Sequence, residues 1–203
     1  MGDLHAATPR VPTSTTETRV NEALITLAKA EGFATAAHAG DKYGPYLYTK
    51  HLRDVIDVLV QFEHTDPLTH SIAWLHDVRE DCLNVDELLL SLTFGSSICM
   101  GVEFCTDIEA GTRAETKALM CERWSSLLED VSEPHTYYRA ALVKIADRHA
   151  NIVACVEMGN TKKLKMYRGE HRDFMAAMNR LKHEKLWART AFLFDTLEKQ
   201  GAD

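Results

Sequence analysis

His76-Asp77-Val78-Arg79-Glu80-Asp81 is the segment of this 203-residue chain richest in groups that can do chemistry. Imidazole and carboxylate side by side suit a borderline or hard divalent ion such as manganese, iron or zinc. Residues four apart share a helix face, which sets His76 over Glu80 and Asp77 over Asp81 if one helix carries them all. A metal-binding pair and an acid pair then meet one cleft. A His-Asp dipeptide alone is weak evidence, because most such pairs belong to solvated helix faces. Its surroundings change the reading. Ile72-Ala73-Trp74-Leu75 precedes it, so part of the dipeptide faces the interior, where charge needs a partner or a metal. Asp147 stands at the end of a second apolar run, and His51 offers a further nitrogen at the start of another helical segment.

Cations and aromatics around these groups each carry a ligand-contact reading beside a bland one. Lys144, Arg148 and Arg168 are candidates for phosphate contact, since cationic side chains offset charge that moves in phosphoryl transfer. A solvated helix face is the competing reading for each. Lys42 and Lys50 flank His51 and carry the same two readings. Tyr43 and Tyr48 suit stacking on a purine or plain packing. Arg79 suits a phosphate or a neighbouring acid. His149, two residues after Asp147, points about 200° away on a helix and is assigned to packing or the surface. His38 lies near a helix end, where the dipole favours it.

The elements that must position these residues are helical throughout. Val20, Leu24, Leu27 and Ala28 repeat at helical spacing in a segment that starts at Thr18 and stops at Ala39-Gly40. Asp41 to Lys50 is expected to be a loop around Gly44-Pro45. His51 to Phe62 reads as a helix with Leu52, Val55, Ile56 and Leu59 inward. Asp66-Pro67 reads as cap and first position of the helix that delivers His76-Asp77. Asn84 with Glu87 suggests a capping box for the next, leucine-rich run. Further helices are expected over Ser96–Phe104 and Ala114–Leu128, from Glu133-Pro134 to Met158-Gly159, and over Thr161–Leu197 with a turn near Leu181. No strand periodicity is sustained and no repeat is present. The expected fold class is all-α, a single-domain helical bundle over 18–203 behind an unstructured tail over 1–17.

Composition narrows the function classes. A hydrophobic content of 45% is that of a water-soluble globular domain, and no apolar run approaches a membrane span, so no membrane partner is expected. A net charge of −7 argues against non-specific nucleic-acid binding while leaving room for a locally basic cleft. The five cysteines form no CxxC pair and suit a reducing, cytoplasmic setting as inert packing thiols. The oligomeric state is not readable from these residues.

Several segments, in order, carry a family resemblance: AHAGDKYGPYLYTKHL (37–52), AWLHDVRED (73–81), FGSSICMGVEFCTD (94–107) and VKIADRHANI (143–152). The chain resembles the HD-domain hydrolases of the RelA/SpoT type, especially the small alarmone hydrolases that include the metazoan SpoT homologue. The resemblance implies an HD-domain helical bundle. It implies His51, His76, Asp77 and Asp147 as metal ligands, with manganese the usual ion. It implies Glu80 and Asp81 as the acid pair of hydrolase-competent members and Asn151 as a residue lining the nucleotide pocket. KKLKMYRGEH (162–171) resembles the pocket edge of single-domain relatives.

The activity so implied is hydrolysis of a (p)ppGpp-type alarmone at its 3′-pyrophosphate, with Glu80 and Asp81 positioning water and moving protons. Lys42, Tyr48, Lys144, Arg148, Asn151 and Arg168 complete the expected substrate contacts. Two alternatives stay open: a phosphatase of another nucleotide (an adenine alarmone, NADPH or a nucleoside monophosphate), and a catalytically inactive nucleotide sensor.

Overall fold

The computed structural model describes residues 15–129, 131 and 135–200. The expected tail over 1–17 falls largely outside them, as does the Glu133-Pro134 helix start; Thr15–Glu17 already belong to the first helix. The chain is an all-α bundle with one minimal hairpin. Its helices are α1 (Thr15–Ala37), α2 (Thr49–Gln61), α3 (Pro67–Leu75), α4 (Val78–Asp81), α5 (Glu87–Phe94), α6 (Ser96–Cys105) and α7 (Arg113–Leu128). These are followed by α8 (Thr136–Glu157), α9 (Thr161–Ala177), a 3-10 turn (Asn179–Leu181), α10 (Lys185–Ala191) and α11 (Leu193–Gln200).

Helix α8 is the axis. From Tyr138 to Cys155 it is buried on nearly every side, which requires apolar residues all round rather than on one stripe. Helices α2, α3, α6, α9 and α10 pack around it, and α1 lies along α3. Its few polar positions therefore mark where the bundle opens. Lys144, Asp147, Arg148, Asn151 and Cys155 recur at three- and four-residue intervals and line one face above a cavity.

Local chemistry explains the boundaries. Asp66 caps α3 by accepting the Thr69 N–H at 3.0 Å, with Pro67 at the first helical position. Thr112 caps α7 in the same way through the Glu115 N–H. Gly95, at φ +83°, is the single residue between the end of α5 and the start of α6. The capping box expected at Asn84 is not formed. Asp86 is the cap of α5, accepting from the Leu89 N–H, while Asn84 takes a left-handed turn conformation ahead of it.

Two further expectations are corrected. Residues 41–50 are not simply a loop: Lys42–Tyr43 pairs antiparallel with Tyr46–Leu47 as β1 and β2. Gly44 at φ +60° followed by Pro45 gives the backbone of a type II′ hairpin turn. Strands of two residues are too short to leave a period in the sequence. In α1, Val20 and Leu24 are 51% and 48% exposed rather than inward. The apolar stripe is real, but it meets the bundle only from Leu27 onward, through Ala30 and Ala34, and the first turns overrun the body.

Candidate metal centre

Three elements bring the candidate ligands together. His51 lies in α2 on the same face as Val55 and Leu59, four and eight residues on, so the face that buries α2 also buries the imidazole. His76 caps the end of α3, and Asp147 projects from the axial helix α8. The expectation that one straight helix carries His76 through Asp81 is corrected. Helix α3 stops at Leu75, Asp77 sits at a bend (φ −104°, ψ −6°), and α4 starts again at Val78. Successive residues on a straight helix diverge by about 100°. The bend closes that angle and sets Asp77 Oδ2 3.0 Å from His76 Nε2.

The four donor sets converge. His51 Nε2 lies 3.4 Å from Asp77 Oδ2 and 3.2 Å from Asp147 Oδ1, and His76 Nε2 lies 3.8 Å from Asp147 Oδ1. Donor atoms of His51, His76 and Asp77 all lie within 4.8 Å of one another. Ligand bonds of about 2.0–2.2 Å to a shared ion put neighbouring donors roughly 3–3.5 Å apart.

The tautomer of His76 supports a cation there. Its Nδ1 is 2.7 Å from the Ala73 carbonyl and donates to it, because a carbonyl only accepts. That leaves Nε2 as a bare lone pair, fully buried and without a hydrogen-bond partner, aimed at two carboxylates. Lone pair against carboxylate is repulsive unless a positive charge stands between them. In the absence of a metal, a proton serves. Burial opposes charging His76, but Asp77 and Asp147 outweigh it and raise its pKa. Burial likewise opposes ionising Asp77 and Asp147, but the two imidazoles hold both well below the carboxylate range. Orientation of a ligand histidine by a backbone carbonyl through its other nitrogen is a common device of metal centres.

Tyrosines orient the rest. The Tyr48 hydroxyl donates to Asp77 Oδ2 at 2.7 Å and so supports the centre, while the residue also lines the adjoining cavity. Tyr43 stacks on the His51 ring at 4.7 Å and donates to Asn151 Oδ1 at 2.8 Å, while the Asn151 amide donates to Asp147.

Above the centre is a cavity of about 850 Å³. Lys42, Tyr48, His51, Asp77, Glu80, Asp81, Lys144, Asp147, Arg148 and Asn151 all line it, and the fully buried His76 lies beneath. Glu80 accepts the Asp107 N–H at 2.7 Å. Burial raises the Glu80 pKa, aided by Asp77 and Asp107 and opposed by Lys144. Lys144 is buried, yet Asp147 and Glu80 outweigh that burial and keep it charged. Arg148 is partly committed elsewhere, pairing with Glu170 at 3.3 Å and lying over the Tyr167 and Phe174 rings.

Arg168 is not brought to this cavity. It stands over the Phe194 ring at 5.3 Å and lines a separate depression with His171. Lys162 and Lys163, in the first turn of α9, reach the rim instead. Five residues along a helix turn the direction by about 140°, so Lys163 and Arg168 face different ways. The signal was present in the pair of lysines that stands two residues after the Asn160 cap. Lys117 and Arg113 also line the cavity, paired with Asp107 and Glu170. Arg79 pairs with Glu103, and Lys50 pairs with Asp54 at 2.6 Å, so for both the acid-pairing or surface reading holds. His149 is buried against Thr190, the packing role expected of it. His38 lies just past the end of α1, near the helix end as expected, and is buried and stacked on Tyr48.

The fold and its centre define a class, an all-α bundle with two histidines and two aspartates under a polar cavity. A solved structure of a metazoan ortholog of SpoT, which hydrolyses ppGpp and plays a role in starvation responses, shares this fold at a TM-score of 0.68. The two sequences are 21% identical, over 86% of this chain and 94% of that one. No protein-family profile and no curated protein matches the sequence.

Proposed function

We propose that this chain is a metal-dependent phosphohydrolase that removes the 3′-pyrophosphate of a (p)ppGpp-type alarmone. The observation that carries this reading is the convergence of His51, His76, Asp77 and Asp147 on one point at the floor of a cavity rimmed by lysines. The activity of the structurally similar SpoT ortholog supports the choice of alarmone. Manganese is the proposed ion, with iron or zinc as chemically suitable substitutes.

A divalent ion held by His51, His76, Asp77 and Asp147 would supply Lewis acidity to a water and to a phosphoryl oxygen. The chain's own residues do the rest. Glu80, whose carboxyl burial keeps more protonated than usual, is suited to take the proton of the attacking water and return one to the departing ribose oxygen. Asp81 borders the cavity one residue on and shares the Tyr48 hydroxyl's environment with Asp77. Lys144 is held charged in the cavity wall and offsets phosphoryl charge. Lys42, Lys162 and Lys163 at the rim attract the phosphates, and Asn151 holds Asp147 in register.

The test is pyrophosphate release from ppGpp with manganese, run beside Glu80→Gln and an NADPH control. Release that falls roughly 10²–10⁴-fold in the variant, with metal content unchanged, is expected for loss of a general base or acid. Near-normal turnover by Glu80→Gln would remove it from that role. Turnover of NADPH but not ppGpp would move the assignment to another nucleotide.

A further inference from the structure

A second set of metal-type donors lies outside the centre described above. His38, just past the end of α1, is 2% exposed, and its Nδ1 lies 3.2 Å from Asp41 Oδ2 and 3.4 Å from Cys82 Sγ. The three donor atoms all lie within 4.8 Å of one another. Zinc bonds of about 2.0–2.3 Å to nitrogen, oxygen and sulfur set tetrahedral donors roughly 3.3–3.6 Å apart. Both distances from Nδ1 fall close to that spacing.

The His38 ring stands between the carboxylate and the thiol: Nδ1 faces Asp41 Oδ2, and Cys82 Sγ lies within 3.6 Å of both ring nitrogens. A cation engages all three groups at once. Cys82 also faces Asp41, Asp81 and Asp77; burial, with these carboxylates, pushes its thiol up to about 11. A positive ion relieves that field as it displaces the thiol proton. The Asp41 side chain is 46% exposed, so one side of the cluster opens to solvent and gives an ion an entry path and a water ligand.

We propose that His38, Asp41 and Cys82 form a second cation site, for a thiolate-preferring divalent ion of the zinc class. The site joins the end of α1 to the end of α4. Cys82 directly follows Asp81, and His38 stacks at 4.3 Å on Tyr48, whose hydroxyl holds Asp77. An ion here would tie down the segment that presents Glu80 and Asp81 without touching the substrate.

Cobalt(II), a spectroscopic stand-in for zinc, tests the proposal on the metal-free 203-residue chain. The expected result is a thiolate-to-cobalt charge-transfer band in the near ultraviolet that zinc abolishes. Cys82→Ser should lose the band although Cys99, Cys105, Cys121 and Cys155 remain, and its bound zinc should fall by one equivalent. Asp41→Asn, at a half-exposed side chain, should weaken cobalt binding at least tenfold with an unchanged circular dichroism spectrum. Absence of the band in the parent protein, or its survival in Cys82→Ser, overturns the proposal. If Cys82→Ser fails to fold, Asp41→Asn decides, and undiminished cobalt affinity overturns it. The centre of His51, His76, Asp77 and Asp147 contains no sulfur, so failure to hydrolyse ppGpp and failure of this band are separate results.

Discussion

The chemistry of this protein turns on a few side chains whose burial is unfavourable without a partner. His76 Nε2 is the sharpest case, a buried lone pair aimed at Asp77 and Asp147. Because a cation resolves that conflict, metal binding and folding should be coupled. Manganese at about 100 times its Kd should stabilise the parent protein by about 2.7 kcal/mol. Asp147→Ala should bind no manganese and show no metal-dependent rise in melting temperature. Retained metal in that variant, measured by elemental analysis after dialysis, would take Asp147 out of the centre.

At the scale of elements, the centre depends on how tightly helices approach one another. Gly101 of α6 faces Ile72 of α3, and a Cβ there would come within 2.5 Å of Ile72 Cδ1. Gly101→Ala should therefore destabilise the fold by about 1–3 kcal/mol through overpacking, read by urea denaturation. A neutral or stabilising effect would mean that Ile72 has room to turn aside. Helices α8 and α10 meet through His149 and Thr190, at 3.0 Å. Burial, assisted by Arg189, lowers the His149 pKa to about 4. The unfolded chain, with an ordinary histidine pKa of about 6.5, then binds the proton more readily than the folded one. Stability is fully present above about pH 6.5 and is lost as the pH falls towards 4, by up to roughly 3 kcal/mol. His149→Gln keeps a polar partner for Thr190 and should narrow the gap in melting temperature between pH 7 and pH 5. An unchanged gap would place the acid sensitivity elsewhere.

The whole molecule carries a net charge of −7, yet its main cavity is rimmed by Lys42, Lys117, Lys162 and Lys163. Such an inversion of local against overall charge favours a small anion over a polyanion. Lys162→Ala with Lys163→Ala should raise the KM for ppGpp about tenfold with little change in kcat, since these side chains stand at the rim rather than at the reacting bond. The effect should shrink at high ionic strength. A fall in kcat with KM unchanged would instead give the lysines a part in the transition state. Among the described residues no helix is long and apolar enough to cross a membrane.

How far the sequence reaches can be judged from particular residues. Helical periodicity located the outer elements because a helix packed on one side buries a stripe, and Asp66-Pro67 announced the start of α3 through a cap that acts within four residues. The apolar runs before His76 and Asp147 signalled burial for the same local reason. What the sequence could not express is geometry set between elements. The bend at Asp77, the hydroxyl of Tyr48 reaching Asp77 across 29 positions and that of Tyr43 reaching Asn151 across 108 arise from packing around α8. Arg168 and Lys163 look equivalent in a string of letters, and only the rotation of α9 against α8 decides which of them faces the cavity. His38 and Cys82, 44 positions apart, meet for that reason too. Residue type and local period determine which groups must be buried; the docking of helices decides which of those groups meet.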